Sequence, residues 1–318
     1  MGGTPAAWEG SLSAASRAPG ASKRSRTTVG ALTAVCVVGL LATVVFAVSQ
    51  THGQGRPSTR AVEARVARSL GSGVTADLLA FGMPIYRDVT PATPRYEVRC
   101  TEPWGRCPLS RQPVPIPPDA RPSPGSDATM VIVDPLAGLD FEFWQAHRTS
   151  DGWTASWGAV MALRGSISRG IYGGVGATGS GVSALYGVVT LADLASGTID
   201  HPLVFSSSLA CPTFIPPAVK SDGTGRLPWC IPEGGRVRLK SSVNLAAIPG
   251  ITPFELTVGL ALERYGAICV DNGGAPMALR FQVPPQRNLS QYLVLGATGD
   301  YDSMRSLPWS QLEDLTAP

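Results

Sequence analysis

The run from Thr27 to Gln50 carries no charged residue. About 20 apolar residues cross the hydrocarbon core of a bilayer as a helix, so one transmembrane helix is predicted over 27–49. Lys23, Arg24 and Arg26, with Arg17 behind them, sit against its N-terminal end and favour a cytoplasmic N-terminus. Arg56, Arg60, Arg65 and Arg68 follow the span. They are farther from it, and long downstream domains translocate largely regardless of charge. Ala47-Val48-Ser49 resembles a cleavage site. The apolar run, however, is longer than a usual signal core and has 26 residues before it, so an uncleaved anchor is expected. The predicted organisation is a disordered cytoplasmic tail (1–26), the span (27–49), a polar tether (50–76) and an extracytoplasmic domain (77–318) in a single-pass protein of the cell membrane.

Charge then narrows the partners. Four of the 26 Lys and Arg and one of the 23 Asp and Glu lie in residues 1–26, which leaves 22 of each beyond them. A neutral outer region lacks the basic stripe of a nucleic-acid footprint. Cysteine usage agrees with an oxidising exterior. Cys100 and Cys107 enclose CTEPWGRC, Cys211 and Cys230 enclose a longer Pro-rich loop, and both pairs are predicted as disulfides. Cys36 falls in the span, and Cys269 sits in an apolar run where a buried thiol is expected. A structural zinc is disfavoured, because no CxxC occurs and the outer region past the tether has only His147 and His201. No metal and no cofactor is predicted.

The pattern beyond residue 77 is of short strands and many turns. Thr129 to Asp134 is a β-branched apolar run. Leu139 to His147 and Trp153 to Leu163, around Asp151-Gly152, read as a hairpin. Residues 198–205 read as a strand, and 267–271 with 276–283 read as a second hairpin around Asn272-Gly273-Gly274. Thr190 caps a short helix closed by Gly197, and Thr252-Pro253-Phe254-Glu255 is a capping box for a second. A third helical pattern over 61–70 is assigned to the tether. The predicted fold is a β-rich, mainly antiparallel sandwich of jelly-roll type with two or three short helices.

Two motif matches fail on context. Gly174-x-Gly176-x-x-Gly179 has the spacing of a dinucleotide fingerprint, but it follows no hydrophobic strand and Asp193 is too close to be the ribose-binding acid. No nucleotide is predicted. Ser180 lacks the glycines at 178 and 182 that a nucleophile elbow requires. The strand at 139–147 is more informative. Alternation places Asp140, Glu142 and Trp144 on one face. An indole beside carboxylates suits sugar recognition, and a glycosidase pairs one such acid with a second carboxyl, here Asp134 or Asp151. The competing reading is a half-buried Trp144 with two solvated acids. His201 shares its predicted face with Ile199, Leu203 and Phe205, which suits a core histidine or a ligand-facing one. Trp153 and Trp157 face one way, as core or as an extension of the Trp144 platform.

The blocks DFEFWQA, ATGSGV, GTIDHPL and LERYGAICVDNGG, in this order, resemble an uncharacterised family of secreted or membrane-anchored bacterial domains over residues 80–283. The resemblance implies a surface-polysaccharide setting and brings no established activity. It matches at Asp134, Glu142, Trp144, Thr178, Ser180, Asp200 and His201. Two departures are Thr178-Gly-Ser180 for the commoner Thr-Ala-Ser and the absence of a histidine near Asp127. The leading expectation is an anchored domain that binds or hydrolyses a cell-surface or cell-wall glycan. Glu142 and His201 are its candidate catalytic residues, with Asp140, Trp144, Thr178 and Ser180 for binding. The alternative is a non-catalytic surface module that binds a protein partner.

Overall fold

The structure, a computed structural model, describes residues 59–316. The 27–49 span and the tail before it lie outside the described residues. Among those described, no helix is long and apolar enough to cross a membrane.

The main elements are α1 (Thr59–Gly71), β1 (Val74–Asp77), β2 (Ile85–Tyr86), β3 (Met130–Asp134), β4 (Leu139–Trp144), β5 (Trp157–Ala162), α2 (Leu191–Ser196), β6 (Leu203–Ser207), β7 (Arg236–Leu239), α3 (Pro253–Arg264), β8 (Ala267–Asn272), β9 (Met277–Arg280) and β10 (Leu312–Asp314). A six-stranded sheet has the order β1-β9-β6-β8-β7-β10, and a four-stranded sheet the order β5-β4-β3-β2. The fold is β-rich, as expected. Its sheets are mixed, with parallel pairs such as β6 with β8 and β1 with β9 that short hairpins do not predict.

Alternation along the strands divides each sheet into two faces. Leu203, Phe205, Cys269 and Leu279 pack against Leu70 of α1 and Phe254, Val258 and Leu262 of α3. The opposite face presents Val204, Ile268 and Val270 to Val182. In the smaller sheet, Ile132, Phe141, Phe143 and Val160 form one core, while Val131 and Val133 meet Ala184 and Val188 on the other side. The loop around 176–188 is therefore the layer between the two sheets. Between Val182 and Val189 the chain runs through turns rather than a strand.

Both helix caps form as the sequence indicates. Thr252 Oγ1 accepts the Glu255 N–H while Glu255 accepts the Thr252 N–H, and Thr190 with Asp193 repeats the arrangement. Gly197 closes α2 in the left-handed region.

Three expectations are corrected. The tether assigned to 50–76 belongs to the fold from residue 59. Val66, Ala67 and Leu70 of α1 are buried in the main core, and β1 is a strand of the six-stranded sheet. The hairpin at 267–283 is opened by β6, which inserts between β8 and β9. Gly273 permits this. Its N–H donates to Ser207 O, and a Cβ there would meet Ser206 Oγ at 2.6 Å. The strands at 139–147 and 153–163 each break in two. Gln145 has φ 52°, and Ser156 Oγ donates to Gln145 Oε1 at 2.6 Å. Beyond the break, residues 152–155 pair with 147–149 on one side and with Val98–Cys100 on the other in a separate sheet.

Candidate functional site

A cavity of about 890 Å³ opens beside the 176–179 loop. Its rim is aromatic. Trp144 and Trp157 are direct cross-strand partners on β4 and β5. Trp104 stacks on Trp144 with ring centres 5.8 Å apart and planes 17° from parallel, and leans on Trp157 at 5.7 Å. Trp104 is 60% exposed. It comes from the loop closed by the Cys100–Cys107 disulfide.

The floor is charged. It presents Asp77 from β1, Arg280 from β9, Asp271 from β8, and Lys220 with Asp222 from the loop closed by the Cys211–Cys230 disulfide. Both predicted disulfides are present, and Cys269 is free and buried. Arg280 Nη2 donates to Asp271 Oδ2 at 3.1 Å, and the Gly179 N–H donates to Asp271 Oδ1 at 3.0 Å. Burial still pushes the Asp271 carboxyl up to about 6, with Asp222 adding to the rise and Arg280 opposing it. Asp77 is also pushed up to about 6, first by burial, with Arg280 again opposing. Lys220 Nζ donates to Thr178 O at 2.8 Å and to Gly179 O at 2.7 Å.

The fingerprint glycines serve close approach. A Cβ on Gly176 would lie 2.3 Å from the Val182 backbone. A Cβ on Gly179 would lie 2.3 Å from Asp222 Oδ1 and 2.6 Å from Asp271 Oδ1. Any larger residue at 179 displaces two carboxylates.

The predicted site residues separate into three groups. Trp144 lines the cavity, and so does Thr178. Thr178 Oγ1 is turned inward, however, donating to Val182 O at 2.7 Å and lying 2.9 Å from Ser180 Oγ. Ser180 is fully buried and its Oγ accepts the Val182 N–H, so this hydroxyl pair closes a turn. Glu142 and Asp140 are buried and absent from the cavity lining. Glu142 was expected at a reacting centre, but its carboxylate has no surface. It accepts the Ala177 N–H at 2.7 Å, Ser183 Oγ–H at 2.5 Å and the Ala184 N–H at 2.8 Å. Burial raises it and these donors oppose the rise. Burial, and Glu142 beside it, push Asp140 up to about 9, so Asp140 holds a proton at neutral pH. Glu142 thus clamps the interlayer loop from beneath.

His201 belongs to neither group. It precedes β6 rather than lying on a strand, with Nδ1 2.9 Å from Pro202 O and Nε2 3.5 Å from Asp193 Oδ2 beside α2. Asp134 accepts the Leu136 and Ala137 N–H groups of a turn, and Asp200 accepts the Tyr265 hydroxyl. Trp153 is core, while Trp157 extends the platform. The residues that sequence reasoning missed are Trp104, Asp77, Lys220, Asp222, Asp271 and Arg280. Three of these, Trp104, Lys220 and Asp222, lie inside the disulfide loops, the sequence signal that went unused. Compared with protein-family models, curated proteins and solved structures, the chain matches none.

Proposed function

We propose that the cleft engages a cell-surface or cell-wall glycan, in an extracytoplasmic domain anchored by the 27–49 span. The observation that carries this reading is the three-indole rim set against a carboxylate floor. Indole faces pack on the apolar C–H face of a pyranose, and carboxylates accept its hydroxyl protons. A cavity of this volume holds several sugar units' worth of contact, within the usual range for ligand sites of about 300–1,000 Å³. Disulfides brace the two loops that supply Trp104 and Asp222, which suits a site held ready outside the cell. The test is a polysaccharide array and a cell-wall pulldown with the full chain. Retention is expected on at least one polymer, with quenching or enhancement of tryptophan fluorescence. Failure to bind every polymer removes the reading.

A further inference from the structure

We infer that Asp222 and Asp271 form a hydrolytic carboxyl pair, Asp222 as nucleophile and Asp271 as proton donor, acting on a neutral or amino-sugar polymer. This rests on the glycan reading above and adds chemistry to it. Geometry supports the pairing first. Both Oδ1 atoms crowd the point that a Cβ on Gly179 would take, at 2.3 and 2.6 Å. The two Oδ1 atoms are therefore at most about 5 Å apart, short of the roughly 6.5–9.5 Å that admits a water between inverting carboxyls and within reach of the closer pairing of retaining ones.

A second observation lies behind Asp222. Glu233 is fully buried, and both of its oxygens lack a hydrogen-bond donor among the described residues. A carboxylate so placed is costly unless it holds its own proton. Burial pushes Glu233 up to about 9, and Asp222 is the neighbour that adds most. Glu233 is therefore a neutral acid beside Asp222. The Asn272 N–H donates to Asp222 Oδ1 at 3.0 Å and orients this exposed carboxylate. Asp271 has the complementary setting. Its raised carboxyl, at about 6, holds a proton in mildly acidic solution, with burial and Asp222 favouring that form and Arg280 opposing it.

The atoms balance in two steps. Asp222 attacks the anomeric carbon as the glycosidic C–O bond breaks, and Asp271 gives its proton to the leaving oxygen. Water then loses a proton to Asp271 and attacks the same carbon, and the Asp222 ester bond breaks. The substrate class follows from the lining charge. Asp77, Asp127, Asp222 and Asp271 face the cavity, whereas both cations are already engaged, Lys220 by two carbonyls and Arg280 by Asp271. No free cation of this floor remains for a uronate or a sulfate.

The experiment incubates the full-length protein with chitin, chitosan and a neutral β-glucan, with pectate as the anionic control. It reads retention and new reducing ends separately. The inference expects release from a neutral or amino-sugar polymer and none from pectate. Asp222→Asn and Asp271→Asn should lose about 10²–10⁴-fold in release while remaining retained. Release by Asp271→Asn should recover on an aryl glycoside whose leaving group needs no proton. A 2-fluoroglycosyl fluoride should add one glycosyl group to the wild-type chain at Asp222 by mass spectrometry, a readout that does not depend on the variants folding. Retention without reducing ends from any polymer overturns the inference and leaves the binding reading standing. No retention overturns both. Release unchanged in either Asn variant assigns the chemistry elsewhere.

Discussion

Two acid pairs flank the same loop, and only one of them meets a cavity. Asp140 and Glu142 lie beneath it, both fully enclosed, with Glu142 saturated by three donors from residues 177–184. Glu233 and Asp222 lie at its side, where Glu233 is enclosed but Asp222 is exposed and lines the cleft. In each pair burial raises one acid, Asp140 or Glu233, to about 9, so that it holds a proton at neutral pH. The difference is what the outer carboxylate is free to touch. Glu142 spends its lone pairs on the fold, and Asp222 keeps lone pairs for a ligand. A carboxylate beside an indole in sequence is therefore not enough to mark a site. Its donors decide.

The comparison breaks most visibly at Glu142. Glu142→Ala leaves two N–H groups and a hydroxyl without acceptors in the interior. It should destabilise the fold by about 3–5 kcal/mol, read as a fall of about 10 °C in melting temperature. A change under about 1 kcal/mol contradicts the clamp. Gly179→Ala is next. Its methyl must displace Asp222 and Asp271, so glycan retention should be lost at a cost in stability of about 1–3 kcal/mol. Unaltered retention contradicts the placement of those two carboxylates.

The smallest effect concerns the sealed pair's proton. Asp140 rises from 3.8 to about 9 on folding, so the folded state holds a proton that the unfolded chain releases. Stability from this proton is present below about pH 4 and is lost as pH rises towards 9. Asp140→Asn removes that dependence, so its melting temperature should fall less steeply than wild type between about pH 6 and 9. Parallel curves contradict a protonated Asp140.

Much of the sealed region was legible in the sequence, because local rules govern it. Alternation put Asp140 and Glu142 on one face of β4, and the threonine caps of α2 and α3 follow from four-residue patterns. The disulfide pairs were legible from loop closure. The cleft was not, because its parts come from five distant places, at Asp77, Trp104, Trp144, Asp222 and Asp271. What unites them is tertiary. The insertion of β6 between β8 and β9 sets the sheet that carries Asp271 and Arg280 in place, and no local pattern at 267–283 encodes it. His201 shows the same limit. Its alternation with Ile199 and Leu203 assumed a strand that begins only at Leu203. The GxGxxG spacing was matched for the wrong reason, since Gly176 and Gly179 admit a backbone and two carboxylates.

The most direct test of the open cleft is retention of the full chain on insoluble cell-wall polysaccharide, measured beside Trp144→Ala. The account predicts that the wild-type chain is retained, and that removing the central indole of the rim weakens retention by about 10-fold. A wild-type chain that no polysaccharide retains, or a Trp144→Ala chain that is retained equally well, contradicts it.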